Sequence, residues 1–332
     1  MQKKEKNPTS TPVSKVSEGF IMKPAYQFLQ EESKPIPKKL YGSLWYENEW
    51  AILFGDTNAD KSILAVQIAD AISRGNSGND LFKVDVPAQP VLYIDLELSN
   101  QEFKDRYSDT DRNHYTFAPN LIRATLDYSR MEGFKFLFTR VLDSIEEGKI
   151  KILIIDNLNN IYNDISVEEN NYMCRLLNLI LSLKYKHGLS ILTLMHTPKR
   201  DKSQPITDSK LAGSKMFSNF CDSLFAIGVS CKDESTKYIK QVKVRTGEHE
   251  YGSENVIICK TEKPNNFLQF TFGGSGSERD QLKALSEKDK LEAQILDMII
   301  KNPDASHRKI ANDLGVHYTK VARIAERNVL KK

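Results

Sequence analysis

Between Trp45 and about Phe272, short apolar runs alternate with stretches of helical period. Ala51–Phe54, Val91–Leu96, Ile150–Ile155 and Ser190–Leu194 are continuous apolar or nearly apolar blocks, the pattern of strands buried on both faces. Between them, Ile63, Leu64, Val66, Ile68, Ala69 and Ile72 recur at helical spacing, and Phe134–Glu147 and Val167–Lys186 also read as helices. Strand and helix in alternation is the grammar of a parallel sheet covered on both sides. Later runs at Leu224–Ile227, Tyr238–Val244, Asn255–Lys260 and Leu268–Phe272 look like hairpins. No internal repeat is visible.

The two ends differ from this middle. Residues 1–40 are rich in Lys, Pro, Ser and Thr and have little periodicity beyond Ala25 to Leu29, so a mostly disordered basic tail is expected. The α/β domain then spans 41–272, and the Gly/Ser-rich run that begins at Gly273 reads as a flexible linker over 273–285. Residues 286–332 form a helical module. Leu291–Ile300 is amphipathic, Pro303 breaks it, Ser306 can cap a helix through Asp313, and Leu314-Gly315-Val316 turns into a last helix from about His317 to Asn328. Ala311, Gly315 and Val321 have the spacing of a helix-turn-helix, winged-helix-like DNA-binding unit. Tyr318, Thr319, Lys320, Arg323 and Arg327 then occupy the exposed side of the recognition helix, some reaching bases and others phosphates. A module that docks protein through the same helices is the alternative.

Composition narrows the class. With 332 residues, 40% hydrophobic and 27% charged, the chain can bury one large core and still build a small second domain. No apolar run reaches the roughly 18 residues of a membrane span, and the first residues lack the apolar segment of a secretory signal, so a cytoplasmic, membrane-free protein is expected. Cys174, Cys221, Cys231 and Cys259 are widely spaced and suggest neither a zinc site nor a disulfide framework. The first 40 residues carry 8 Lys against 4 Glu, and residues 285–332 carry 10 Lys and Arg against 7 acids. The middle is therefore net acidic, and attraction to nucleic acid is local.

The chemistry concentrates in one octet. Gly55-Asp56-Thr57-Asn58-Ala59-Asp60-Lys61-Ser62 matches G-x-x-x-x-G-K-[ST] in every position but one, Asp60 standing for the second glycine. The pattern exists because backbone N–H groups must wrap the phosphates of ATP, a lysine must reach the terminal ones, and a hydroxyl must hold Mg²⁺. The octet lies between a strand and a helix, as the motif requires. An acidic residue at position 60 brings a charge near the β-phosphate and gives up glycine's conformational freedom. A weakened nucleotide site and an inactive one are both open.

Other candidates lie at strand ends. Asp95 and Glu97 share a face at period two, where Glu97 could polarise an attacking water; a solvated pair opening a helix is the alternative. Asp156, after four aliphatics, has the Walker B position of a carboxylate that helps hold Mg²⁺. His196 ends the fourth strand, where a polar side chain can touch the γ-phosphate. The loop beyond it carries Lys199, Arg200, Lys202, Lys210 and Lys215 and leads to Phe217 and Phe220. That mixture suits gripping a phosphate backbone and stacking bases, although the cations could be merely solvated and the two rings could be core. Lys243 and Arg245 share a face and could reach a neighbouring subunit's nucleotide, which a surface salt bridge could mimic.

The octet 55–62, Asp95-Leu-Glu97, Asp156, His196-Thr-Pro-Lys199, Leu211-Ala-Gly-Ser214 and Lys243-x-Arg245-x-Gly247 together resemble the RecA-like ATPase core of ring helicases. The likeness is greatest to RepA-type plasmid helicases and related ATPases of mobile elements, and it covers roughly residues 41–272. It implies that Lys61 and Ser62 bind phosphate and Mg²⁺, Glu97 activates water, Asp156 supports the metal and His196 senses the γ-phosphate. It also implies a trans-acting Lys243/Arg245 pair, a homo-oligomer that is often a hexamer, and a single-stranded DNA loop after His196. The fold class expected is α/β, a RecA-like parallel-sheet P-loop NTPase core with a small all-α carboxy-terminal domain. The activity expected is ATP-driven helicase or loader action on DNA in replication or mobilisation of an element. A non-hydrolysing DNA adaptor and a regulatory ATPase with a protein-docking module are the alternatives.

Overall fold

A computed structural model of the chain describes residues 15–17, 20–32, 35–110, 112–126, 134–158, 169–197, 201–211, 215–284, 287–303 and 305–329. The chain divides into two compact units, residues 1–37 and 38–332. In the first, β1 (Lys15–Ser17) and β2 (Phe20–Met22) pair antiparallel and are followed by the short helix α1 (Ala25–Leu29). Within the tail expected to be disordered over 1–40, these short elements and the start of the next strand at Lys39 are the regular structure among the described residues, and its first 14 residues lie outside the described ones.

The second unit opens with a small antiparallel pair, β3 (Lys39–Tyr41) and β4 (Trp45–Tyr46). There follow β5 (Trp50–Gly55), α2 (Lys61–Arg74), β6 (Val91–Asp95), α3 (Asn100–Tyr107), the β7 (Ser108–Thr110) and β8 (Asn113–His114) pair, and β9 (Leu121–Thr125). The chain continues through α4 (Phe134–Gly148), β10 (Ile152–Asp156), α5 (Glu169–His187), β11 (Ser190–His196) and α6 (Lys215–Phe220). Three antiparallel turns of chain then join β12 (Ser223–Val229), β13 (Thr236–Lys243), β14 (Val256–Glu262) and β15 (Gln269–Gly276).

One nine-stranded sheet runs in the order β15-β14-β13-β12-β5-β11-β10-β6-β9. From β12 to β9 every neighbour is parallel, and the three strands beyond β12 are antiparallel. This is the RecA-like core expected from the sequence. Alternate residues of each strand feed two cores, because successive side chains leave opposite faces of the pleat. Ala51, Leu53, Tyr93, Ile154 and Leu194 pack with Leu64, Ile68 and Ile72 of α2. Ile52, Phe54, Ile94, Leu153, Ile155 and Met195 pack with Val141 and Ile145 of α4, Leu176, Ile180 and Leu183 of α5, and Phe217 of α6. Helix α2 is buried on nearly every side, which fits its small and aliphatic composition.

The structure corrects the boundary expected at residue 272. β15 continues to Gly276 in register with β14, Val256 opposite Gly276, and a 3₁₀ turn at Glu278–Gln281 follows. Glu278 anchors that turn from inside: its carboxylate accepts hydrogen bonds from Lys240 Nζ at 2.6 Å, Ile206 N at 2.8 Å and Ser253 Oγ at 3.2 Å. The Gly/Ser run looked like linker because its composition conceals the ladder bonds that a strand partner supplies.

Helices α7 (Glu287–Lys301), α8 (His307–Asp313) and α9 (Tyr318–Val329) share a separate core of Ile295, Ile310, Ala311, Val321 and Ile324. Ser306 caps α8 through Lys309 N at 3.3 Å, and Gly315 turns with φ of 64° between α8 and α9. No strand follows α9 among the described residues. Among the described residues no helix is long and apolar enough to cross a membrane.

The Glu278–Lys240 pair is buried, so removing one member strands the other charge. Glu278→Ala is expected to lower unfolding stability by about 3 kcal/mol in denaturant titration, with Glu278→Ala/Lys240→Met recovering part of the loss.

Candidate functional site

The carboxyl ends of β5, β11, β10 and β6 lie side by side. Gly55 is in register with His196, and Asp156 with Asp95. Strand β11 separates the phosphate-loop strand from the Asp156 strand, so the loop, the histidine and the carboxylate converge from three neighbouring strands. A crevice at the carboxyl edge of a parallel sheet is where such folds assemble their ligand sites.

The loop 55–62 is shaped by its backbone. A Cβ at Gly55 would sit 2.6 Å from the Ile227 carbonyl oxygen, so only glycine fits beside β12. Asn58 and Asp60 have φ of 64° and 60°, the left-handed conformation that turns successive N–H groups inward as an anion nest. Ala59 is buried beneath them. Asp56 and Thr57 complete the loop, and Thr197, just past β11, stitches it to the sheet. Thr197 N donates to Gly55 O at 3.1 Å, and its hydroxyl donates to Asp56 Oδ1 at 2.8 Å.

Lys61 begins α2 and is nearly buried. Its ammonium donates to Gly55 O at 3.2 Å and Asp56 O at 3.0 Å, and lies 3.1 Å from His196 Nδ1. Burial lowers its pKa, with Glu97, Asp156, Asp56 and Asp60 pulling back. The pKa of His196 is lowered by burial and then by Lys61, so its ring is neutral near pH 7 and accepts from the lysine. Its Nε2 stands 3.8 Å from Glu97 Oε1. His196 therefore bridges the lysine and the glutamate that the sequence assigned to water.

Asp156 is fully enclosed. Tyr93 OH donates to its Oδ2 at 2.6 Å, while its buried Oδ1 has no hydrogen-bond partner. Burial drives its pKa up to about 6, against the pull of the Tyr93 and Ser62 hydroxyls. Among the described residues no group of three or more His, Cys, Asp or Glu can hold a metal unaided. An orphaned carboxylate oxygen near a serine hydroxyl fits a Mg²⁺ ion whose other ligands are phosphates and water. Ser62 and Asp156 would hold it.

Asp95, which the sequence paired with Glu97, faces elsewhere. Its Oδ1 accepts from Glu97 N at 3.1 Å and Leu98 N at 2.9 Å, and its Oδ2 from Arg123 Nε at 2.9 Å. Arg123 also donates to Asn100 Oδ1 at 2.8 Å and Leu98 O at 3.0 Å, and lies over the Phe103 ring at 4.3 Å. Asp95 and Arg123 thus fix the segment that presents Glu97. The edge strand carrying Arg123 went unseen in the sequence.

Asp60 also departs from expectation. Its Oδ2 pairs with Lys237 Nζ at 2.7 Å and accepts from Thr261 Oγ1 at 2.7 Å, and its side chain makes no capping bond to α2. The carboxylate expected near the β-phosphate is held toward β13 and β14.

Lys243 and Arg245 are not brought to this loop. Register places Lys243 level with Leu224 and Ile52, three positions before Gly55. Lys243 donates to the carbonyls of Ser218, Asn219 and Cys221 at 2.7, 3.1 and 2.7 Å, closing the end of α6. Arg245 pairs with Asp222 at 3.0 Å and is half exposed. Of the expected DNA loop, Lys199 and Arg200 lie outside the described residues, as do the side chains of Lys210 and Lys215. Lys202 is exposed. Phe217 is core, edge-on to Trp50 at 5.7 Å, and is unavailable to bases, while Phe220 is exposed. On α9, Tyr318, Thr319, Lys320 and Arg323 are all exposed, and Arg308 lies over Tyr318 at 5.6 Å. The Arg327 side chain is outside the described set.

A family profile described as an AAA domain (AAA_25) matches residues 24–202. No curated protein matches the sequence. Among solved structures, a KaiC-like protein of the hyperthermophilic archaeon Pyrococcus horikoshii OT3 is similar at 12% identity, over 71% of this chain and 100% of its own, with a TM-score of 0.49.

A carboxyl group whose folded pKa is raised destabilises the folded state while ionised, and the penalty is relieved as pH falls through the folded pKa. With Asp156 at about 6 against an ordinary 3.8, the penalty is on the order of 2–3 kcal/mol above pH 7. Asp156→Asn is expected to melt higher than wild type at pH 7.5 without nucleotide. That advantage should shrink at pH 5, as differential scanning calorimetry at the two pH values would read.

Proposed function

The chain belongs to the AAA domain family, and from that premise we propose that it is a DNA-dependent ATPase of helicase or loader type. Its setting would be replication or mobilisation of a plasmid or mobile element. The observation that carries the DNA side is the exposed face of α9. Tyr318, Thr319, Lys320 and Arg323 stand out to solvent after the Gly315 turn, with His307, Arg308 and Lys309 exposed at the start of α8. Cations at the start of two helices joined by a tight turn suit a duplex, arginine and lysine meeting phosphates and the first turn of the second helix meeting base edges.

The nucleotide side rests on the convergence at the carboxyl edge. The nest at Asn58 and Asp60 and the leading N–H groups of α2 would receive phosphate oxygens, and Lys61 would exchange its loop carbonyls for the terminal ones. Mg²⁺ held by Ser62 and Asp156 would neutralise charge on the phosphates. Glu97, presented by the Arg123-fixed segment, would take the proton of the attacking water. His196, touching Lys61 and facing Glu97, would register the γ-phosphate and pass its presence to the loop beyond β11.

A homo-oligomer in which Arg245 reaches a neighbouring nucleotide is part of the same reading. What favours Arg245 is its half exposure. Lys243, occupied with three carbonyls, is a weaker candidate for that role.

Steady-state hydrolysis with and without single-stranded DNA tests the proposal. Wild type is expected to hydrolyse Mg·ATP faster with DNA, and Lys61→Ala to lose roughly a hundredfold or more. No DNA stimulation, with Lys61→Ala indistinguishable from wild type, would sink it; a strand-displacement assay then separates motor from loader. For α9, Lys320→Ala/Arg323→Ala is expected to weaken duplex binding by about tenfold at moderate salt and flatten the salt dependence, read by fluorescence anisotropy. Unchanged affinity would assign the three helices to protein docking.

A further inference from the structure

We propose that Lys237 and Thr261 are positioning residues that keep the phosphate loop usable by holding the Asp60 carboxylate outside the phosphate cup. This rests on the nucleotide-binding reading above. Asp60 stands where the loop pattern has glycine and adopts glycine-like torsions, φ 60° and ψ 30°, which aspartate tolerates better than most residues. Its side chain would otherwise introduce a negative charge at the mouth of a site built for a polyanion.

The geometry answers that charge. Lys237 opens β13 with its side chain 9% exposed and reaches Asp60 Oδ2 at 2.7 Å. Thr261 on β14 donates to the same oxygen at 2.7 Å and receives Lys237 Nζ at 3.4 Å. The three side chains form one closed group, contributed by the start of α2 and two antiparallel strands. Asp60 makes no cap to α2, so the N–H groups at the start of that helix stay directed to an anion and not to the carboxylate. Paired with a nearly buried ammonium, the carboxylate adds no net charge to the loop. Freed from it, the carboxylate would repel phosphate across a partly desolvated gap, where screening is weak.

The test is titration of purified variants with a fluorescent ATP analogue and Mg²⁺, beside a thermal melt of each. Lys237→Met is expected to bind at least about tenfold more weakly than wild type, and Thr261→Val about threefold. Asp60→Gly, which removes the charge to be restrained, is the reference against which the double variant is read. In Asp60→Gly/Lys237→Met the defect should disappear, because no carboxylate remains to restrain. Wild-type affinity in Lys237→Met, or a defect undiminished in the double variant, overturns the inference while leaving the nucleotide site standing. If Lys237→Met is not recovered folded, Thr261→Val and the double variant decide, a normal Thr261→Val overturning the inference. Absence of binding in both wild type and Asp60→Gly sinks the nucleotide reading, and this inference with it.

Discussion

A charge removed from water must find a partner, and that constraint governs the carboxyl edge of the sheet. Four strands end there with Lys61, Asp95 and Asp156 buried and Asp60 close by. Asp95 is answered by Arg123 and two backbone amides, Asp60 by Lys237 and Thr261, and Lys61 by two loop carbonyls and a neutral histidine. Asp156 keeps one oxygen unanswered. Where the partners are complete, as at Asp95, the group shapes the backbone around it.

The same constraint separates what the chain's linear order reveals from what it hides. The β5–loop–α2 unit, the β10 strand ending in Asp156 and the β11 strand ending in His196 were legible because each is a contiguous pattern: apolar run, then polar residue or loop. The three terminal helices were legible for the same reason, through caps, a glycine turn and amphipathic spacing. Asp60's fate was not legible. Its partners lie 177 and 201 residues away, and nothing local marks Lys237 or Thr261 among other strand residues. Arg123 was hidden differently: β9 is a short edge strand, only partly buried, with a cation at its centre. For Phe217 the sequence left base stacking and burial both open, and edge-on packing against Trp50 decides for the core.

Helix α3 entered the sequence reading only through the alternative for Asp95 and Glu97, although Ser99 and Glu102 form a reciprocal capping box at its start. Its mean composition is polar, so periodicity gave no signal, and the cap alone held the information. Together with Arg123 the cap pins both ends of the short segment that carries Glu97. Glu97 therefore stands on a backbone fixed by side chains rather than by strand pairing.

Asp222 accepts Trp50 N at 2.8 Å and Arg245 at 3.0 Å, and it also pairs with Lys184. Were Arg245 to swing away, the carboxylate would keep an ammonium and an amide, so departure costs little. Lys243 has no such latitude, since its withdrawal would leave three peptide oxygens facing one another at a helix terminus. Two cations separated by a single residue are thus unequal in freedom: one is a detachable arm, the other a rivet.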